Sequence, residues 1–449
     1  MTIPSTLLDS LESVKGFNRE AFLQIHESRE QITSIRLNNL KPVQLEIAEG
    51  AEKIPWSSQG YYLKERPSFT LDPLFHAGCY YVQEASSMFL EEALRQVVDL
   101  SKSIKVLDLC AAPGGKSTLI QSLITSGSFL VSNEVIKSRV NVLQENLIKW
   151  GGNNVVITNN DAKDFTSLES FFDVVVVDAP CSGSGLFRKD PEAITEWSLN
   201  NVQLCSQRQQ RILADVIPSI IENGILIYST CSYSEEEDEA IVDWLIKEFD
   251  FELLKLKIDP EWNIIETNGY RFYPDKVKGE GFFISVLRNR ETRDEKRERI
   301  NRGQSRQRSK TLSAVEQISN YVKKDVEIEY MNHKDDILAM PPTLALSLPA
   351  LQTHLYIRHA GTVIGKLTPK ELIPDHSLAL STIISENIAS VTLNKEQALQ
   401  YLRKDEVLID TERKGWNLIK YEGQNLGWIK ALSNRVNNYY PKEWRIFKR

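Results

Sequence analysis

From residue 104 to 288 the chain alternates short apolar runs with stretches of helical period. Residues 104–109, 129–133, 155–158, 172–177 and 224–229 have strand length. The consecutive valines at 174–177 leave no polar face, as expected of a strand covered on both sides. Residues 117–124, 139–150 and 200–221 read as helices between the strands, and an acid-opened helix starts at Ser234. Repeated strand–helix units predict an α/β, doubly wound parallel sheet.

The flanks differ from this centre. Residues 1 to about 95 mix helix and strand. A short strand is expected at 34–38, then Gly/Pro/aromatic loops through Pro55-Trp56 and Gly60-Tyr61-Tyr62. From about residue 80 the chain is expected to turn helical, with 86–94 of helix-favouring composition. Residues 288–310 hold ten Lys or Arg against four Asp or Glu, and no apolar residue except Ile300. That composition marks a solvated linker. Beyond it, 355–357, 362–365, 416–421 and 427–429 are apolar runs between Gly turns, a β-rich module. The expected units are 1–95, 96–288, a basic linker at 289–310, and 311–449.

Composition narrows the class. With 449 residues, 41% hydrophobic and 26% charged, the chain has room for about two to four globular domains and is no collagen or disordered polymer. No run of 18 apolar residues occurs, and the start lacks a basic-then-apolar signal, so a cytoplasmic protein off the membrane is expected. Five cysteines (79, 110, 181, 205, 231) without a CxxC pair argue against disulfides, and no metal site is expected. A net charge of −7 reads against a polyanionic partner. The charge is segregated, however. The linker is strongly basic, and residues 430–449 carry six basic residues against one acid, enough to hold a polyanion locally.

Three turns carry the chemistry. After 106–109 the chain runs through Cys110-Ala111-Ala112-Pro113-Gly114-Gly115-Lys116 into a helix expected to be capped by Ser117. Its glycines permit close backbone approach, and a helix N-terminus offers N–H groups to a ligand. The spacing fits neither a dinucleotide fingerprint nor a P-loop. Glu134 follows the second strand, where Rossmann-like folds hold ribose hydroxyls, and Asp161 follows the third, where it could accept from an adenine amino group. Either acid alone is as readily a solvated loop carboxylate; on consecutive strand ends they point to a nucleoside. The other turns are Asp178-Ala179-Pro180-Cys181-Ser182-Gly183-Ser184-Gly185 and Tyr228-Ser229-Thr230-Cys231-Ser232. Each sets a thiol just past a strand's carboxyl end. If the two strands are neighbours, about 4.8 Å apart, both thiols and Asp178 converge on one bound ring. Cys79 and Cys205 read as small buried hydrophobes.

Residues 100–288 resemble the Sun/Nop-type RNA cytosine-5-methyltransferases through these three turns and the closing Gly279-Glu280-Gly281-Phe282-Phe283. Residues 76–88 are similar to that family's lead-in to the catalytic sheet. Residues 373–380, 426–430 and 437–442 are similar to its RsmF-type branch, which modifies 16S rRNA. The resemblance implies a Rossmann-like methyltransferase sheet between an N-terminal α/β RNA-binding extension and a C-terminal β-rich, PUA-like RNA-binding module. It implies S-adenosyl-L-methionine as cofactor, ribosomal RNA or the 30S subunit as partner, and a monomer. Cofactor contacts are then expected from Cys110, Ala111, Ala112, Pro113, Gly114, Gly115, Lys116, Glu134, Arg139, Asp161 and Asp178. The implied catalytic residues are Cys231, whose thiolate adds to carbon 6 of cytosine, Asp178 at ring nitrogen 3, and Cys181, which assists release.

Rival readings rest on the same residues. In DNA cytosine-5 enzymes the nucleophile follows the proline, which would be Cys181; the second thiol at 231 favours the RNA arrangement. An amine methyltransferase would show Asn/Asp-Pro-Pro-aromatic at 178–181, where this chain has a thiol after the proline. The same chemistry on tRNA also fits these motifs. So does a catalytically silent ribosome-assembly factor, although such a protein would be expected to lose Cys231 or the Gly-rich turn. Arg188 and Lys189 suit phosphate contacts or plain solvation, and Arg36 suits RNA or a strand edge. Trp428, Tyr439, Tyr440 and Trp444 interleave with basic residues as RNA-stacking aromatics do, but core packing suits the tryptophans equally.

Overall fold

The structure is a computed structural model and describes residues 3–28, 30–292, 318–409, 411 and 413–448. Most of the basic linker expected at 289–310 lies outside the described residues, as does Arg449.

The central sheet is built on five parallel strands: β1 (Lys105–Asp108), β2 (Phe129–Asn133), β3 (Val155–Thr158), β4 (Phe172–Asp178) and β5 (Ile220–Thr230). Their spatial order is β3-β2-β1-β4-β5. The winding reverses between β1 and β4, the switch point at which doubly wound sheets bind ligands. Alternate valines of β4 feed opposite layers: Val174 and Val176 join one apolar core, Val175 and Val177 the other. Burial on both faces is what the unbroken valine run required. The expected helix at 200–221 stops at Val216, because Pro218 supplies no N–H, and β5 begins at Ile220 instead of 224.

The sheet is not purely parallel. β6 (Phe282–Asn289) pairs antiparallel with β5, and Tyr270–Phe272 continues beyond it. At the opposite edge β7 (Ile357–Ala360) pairs antiparallel with β3. In sequence β7 lies beyond the linker, so the C-terminal region completes the central sheet.

The N-terminal region forms a four-stranded antiparallel sheet of Glu52–Lys53, Gly60–Leu63, Thr33–Leu37 and Tyr80–Val82. The chain therefore does not turn helical at 80. Two tyrosines and a valine favour the strand, and helical structure starts with the turn Ser86–Phe89 and the helix Leu90–Val97. Arg36 lies on an interior strand and is buried, not at an edge and not facing solvent. Its guanidinium donates to Gln83 Oε1 (2.8 Å), to Thr118 Oγ1 (2.6 Å) and to the Gly115 carbonyl (3.3 Å), and lies over the Trp150 ring at 4.5 Å. It thereby fastens the N-terminal sheet to the helix Gly115–Leu123. Gly78, at φ +74°, packs so closely on the helix Lys137–Trp150 that a Cβ would sit 1.9 Å from the Lys149 carbonyl oxygen.

The C-terminal region holds two further four-stranded sheets. One comprises Glu329–His333, Asp336–Met340, Thr362–Leu367 and Leu372–Pro374; the other Ser390–Thr392, Gly415–Tyr421, Gln424–Ala431 and Val436–Asn438. Trp428 and Tyr440 are buried, and the Trp428 indole donates to the Asp375 carbonyl at 2.8 Å, so core packing accounts for both. Tyr439 is exposed, edge-on to Trp416 at 4.5 Å. Among the described residues no helix is long and apolar enough to cross a membrane.

Arg36→Ala should lower stability by about 2–4 kcal/mol, because it strands buried acceptors and removes the stack on Trp150. Chemical denaturation of the full chain checks this; a shift within error of wild type would mean that Arg36 is no fastening.

Candidate active site

The carboxyl edge of the sheet gathers the charged residues. β1 ends on Asp108, which is fully buried and accepts from Ser117 Oγ at 2.6 Å; Ser132 Oγ donates to Ser117 Oγ at 2.9 Å. The other Asp108 oxygen is buried and has no hydrogen-bond partner among the described residues. Burial pushes this carboxyl up to about 7. Ser117 is thus inside the helix and bonded to Asp108, not capping it. The cap position belongs to Gly114 at φ +112°, a conformation that glycine adopts without penalty. The turn contains a cis Ala112–Pro113 bond and is pinned from the helix Lys137–Trp150. Arg139 donates to the Ala112 carbonyl at 2.7 Å and Asn146 to the Pro113 carbonyl at 2.8 Å.

Glu134 is buried after β2, accepts from the Ile136 N–H at 2.8 Å and pairs with Arg139 at 3.3 Å. Asp161, after β3, caps the turn Ala162–Ser167 and pairs with Arg211 at 3.0 Å. Arg211 lies in no local motif, so sequence reasoning misses it. Cys110 is half-buried, and burial pushes its thiol well up. A glycine turn, an unpartnered buried carboxylate oxygen and acids after two consecutive strands suit a nucleoside bearing a charged tail.

β4 and β5 are neighbours with Asp178 opposite Ser229, so the two cysteine turns leave the sheet side by side. Ser229 Oγ donates to Asp178 at 2.7 Å, and Lys116 from the turn after β1 pairs with Asp178 at 2.8 Å. Cys181 Sγ lies 3.1 Å from Cys231 Sγ, and both are free, half-buried thiols. The hydrogen bond to Cys231, together with burial, pushes the Cys181 thiol well up.

Beyond the strand ends the turns are laced together. The Gly185 N–H donates to the Cys231 carbonyl at 2.8 Å, and the Tyr233 N–H to Ser184 Oγ at 2.9 Å. A Cβ at Gly185 would lie 2.6 Å from the Gly281 carbonyl oxygen and 2.8 Å from that of Cys231. Thr230 Oγ1 donates to Asp238 at 2.5 Å, and the buried Arg271 pairs with Asp238 at 3.2 Å and also with Glu239. Glu237 is buried against both turns, accepting from Ser182 and Ser232. Within the acidic run 235–239 no residue stands out by type; a serine directly after each cysteine is the only local sign.

Cys181, Cys231, Asp178 and Lys116 therefore meet at one place, with Asp108, Glu134, Arg139 and Asp161 along the adjoining strand ends. Arg188 belongs to neither group. It is buried, donates to the Gly279 carbonyl at 3.2 Å and the Glu30 carbonyl at 2.5 Å, and lies 3.7 Å from Glu280, which fits neither phosphate contact nor solvation. Lys189 is exposed. Cys79 and Cys205 are buried, as expected of small hydrophobes.

Residues 95–288 match the family model described as 16S rRNA methyltransferase RsmB/F. Residues 3–85 match that of the N-terminal domain of 16S rRNA methyltransferase RsmF, and 389–446 that of the methyltransferase RsmF PUA domain. Proteins named ribosomal RNA small subunit methyltransferase F from Aliivibrio fischeri and Shewanella piezotolerans are 28% and 29% identical to this chain. In each case the match covers 91% of this chain and 90% of the relative. A solved methyltransferase homolog protein from Pyrococcus horikoshii is 28% identical, with a TM-score of 0.52, over 64% of this chain and 100% of that one.

Asp108 yields a pH prediction. Its folded-state value of about 7 exceeds the ordinary 3.8, so the folded chain holds this proton more tightly and loses stability as pH rises between those values. Asp108→Asn does not titrate. Wild type should therefore lose ground to the variant between about pH 4 and about pH 7 in denaturation midpoints. A pH-independent difference would contradict the burial argument.

Proposed function

The chain belongs to the RsmF-type branch of the RsmB/F rRNA methyltransferases, and on that premise we propose that it methylates carbon 5 of a cytosine in small-subunit (16S) ribosomal RNA through a covalent adduct with Cys231. The carrying observation is the pair of thiols 3.1 Å apart beside Asp178 on adjacent strand ends. Amino-group or ribose methylation has no use for two adjacent thiols.

S-adenosyl-L-methionine, when bound, supplies a methyl group on a positively charged sulfur, open to attack by carbon. The turn at 110–116 with Asp178 would hold its charged tail, Glu134 its ribose and Asp161 its adenine. Arg139 orients this set, since it grips both the Ala112 carbonyl and Glu134. Carbon 5 of cytosine is a weak nucleophile until carbon 6 is saturated. Cys231 Sγ bonds to carbon 6 while a proton passes through Asp178, held by Lys116 and Ser229, onto ring nitrogen 3 to take up the displaced electron pair. That proton leaves again as carbon 5 takes the methyl group. Once carbon 5 carries the methyl group it loses its proton to a basic group in the pocket. The ring double bond re-forms, and Cys231 departs as thiolate. Cys181, adjacent to it, donates a hydrogen bond to the departing sulfur and so assists release.

The target base must leave its stack to reach this pocket, at a cost of a few kcal/mol unless the RNA is already open. The N-terminal extension (1–95) and the C-terminal region (311–449) flank the methyltransferase unit (96–288) and would select the presented cytosine. The enzyme would act as a cytoplasmic monomer on ribosomal RNA or the 30S subunit.

Supplying labelled methyl donor with 30S subunits, free 16S rRNA and tRNA, then mapping the label, tests this reading. Label on cytosine carbon 5 of 16S rRNA is expected. Label on no cytosine defeats the reading, and label on tRNA alone reassigns the substrate. Cys231→Ala should abolish both methylation and RNA adducts. Cys181→Ala should accumulate adduct while turnover falls roughly 10²-fold or more. The reverse pattern would make Cys181 the nucleophile.

A further inference from the structure

We propose that Glu237 is a positioning residue that ties the two cysteine turns together and sets the spacing of their thiols. This rests on the two-thiol reading above. Backbone pairing between β4 and β5 ends at Asp178 and Ser229, so neither Cys181 nor Cys231 is held by the sheet ladder itself. Past that point the turns depend on whatever joins them.

Glu237 sits at the end of the short turn Glu235–Glu237. It is fully buried, whereas Glu235 and Glu236 are exposed. One carboxylate oxygen accepts from the Ser182 N–H at 2.7 Å; the other accepts from Ser182 Oγ at 2.6 Å and Ser232 Oγ at 2.6 Å. Ser182 follows Cys181 and Ser232 follows Cys231 directly. One buried side chain therefore grips each turn one residue from its thiol. The main chain of Glu237 is anchored as well: its carbonyl accepts from Tyr228 OH, on β5, at 2.5 Å.

Charge-assisted bonds of this kind are strong enough to retain a carboxylate away from water. Here they also have a geometric consequence. A separation of 3.1 Å lets Cys181 donate to Cys231 sulfur, and a loop shift of about 1 Å would break that contact. Loss of Glu237 should then impair the Cys181-dependent release more than adduct formation. Glutamine is the informative replacement. Its carbonyl can accept from the Ser182 N–H and its amide can donate to both hydroxyl oxygens, which keeps the tie without the charge.

The test measures thiol spacing without RNA or methyl donor. Diamide removes two electrons and two protons from a thiol pair, forming the sulfur–sulfur bond while being reduced to the hydrazine. Peptide mapping of the full-length protein reports how fast Cys181 and Cys231 cross-link. Glu237→Gln should cross-link within about twofold of wild type and Glu237→Ala at least about tenfold more slowly, since exchange between thiols requires close, aligned sulfurs. In turnover, Glu237→Ala should lower kcat roughly 10²-fold with little change in KM and a larger adduct fraction, and Glu237→Gln should restore kcat. Should E237A fail to fold, Ser232→Ala removes one arm of the tie and carries the same expectation in cross-linking. Wild-type cross-linking in Glu237→Ala, or Glu237→Gln as slow as Glu237→Ala, overturns the proposal. Absence of cytosine methylation by wild type would defeat the functional reading while leaving the cross-linking result standing.

Discussion

Parallel pairing of β4 with β5 ends at Asp178 opposite Ser229, at one level of the sheet. That shared end point is the constraint on which the site depends. Each strand releases a turn whose cysteine lies within a few residues, so two segments 50 residues apart in sequence must leave side by side. The pairing is itself held by burial on both faces, through valines that alternate between the two apolar layers. Lys116 brings the turn after β1 to the same point by pairing with Asp178. The Gly-rich turn and the thiols consequently leave from neighbouring strand ends beside the sheet's switch point.

The flanking regions are built into this arrangement. Arg36 fastens the N-terminal sheet to the helix that follows the Gly-rich turn, and Asn38 donates to the Trp150 carbonyl at 3.0 Å. Ile35, Leu74 and Tyr80 of the N-terminal region share one apolar core with Tyr401, Ile419, Ile429 and Tyr440 of the C-terminal region. Lys41 of the N-terminal region donates to the Ala77 carbonyl and to the Lys149 carbonyl of the helix Lys137–Trp150, and burial pulls it down to about 8. Two regions far apart in sequence are thus one packed body against the helix Lys137–Trp150. The strand β7 ties the C-terminal region to the sheet a second time, by pairing with β3.

Much of this is legible from residues alone. Strands β1 to β4 are readable because β-branched and apolar runs of strand length between turns have few other conformations open to them. The helix overrun past Pro218 neglects a signal that is present, a residue without an N–H. β7 is unreadable for a different reason: a four-residue segment acquires its sheet only through a partner some 200 residues earlier. Arg36 and Arg188 mislead because a buried arginine on carbonyls has the same letter as one in solvent.

The chemistry of the site is set locally. Which turns carry glycine, which thiols follow a strand, and which acids close the strand ends are properties of neighbouring residues, fixed by the order of the chain before it folds. Folding settled the rest: that the two thiols stand 3.1 Å apart, and that Glu237 is enclosed while Glu235 and Glu236 face water. Distance and burial depend on segments that meet only in the packed molecule, and three consecutive glutamates are chemically identical until packing chooses between them.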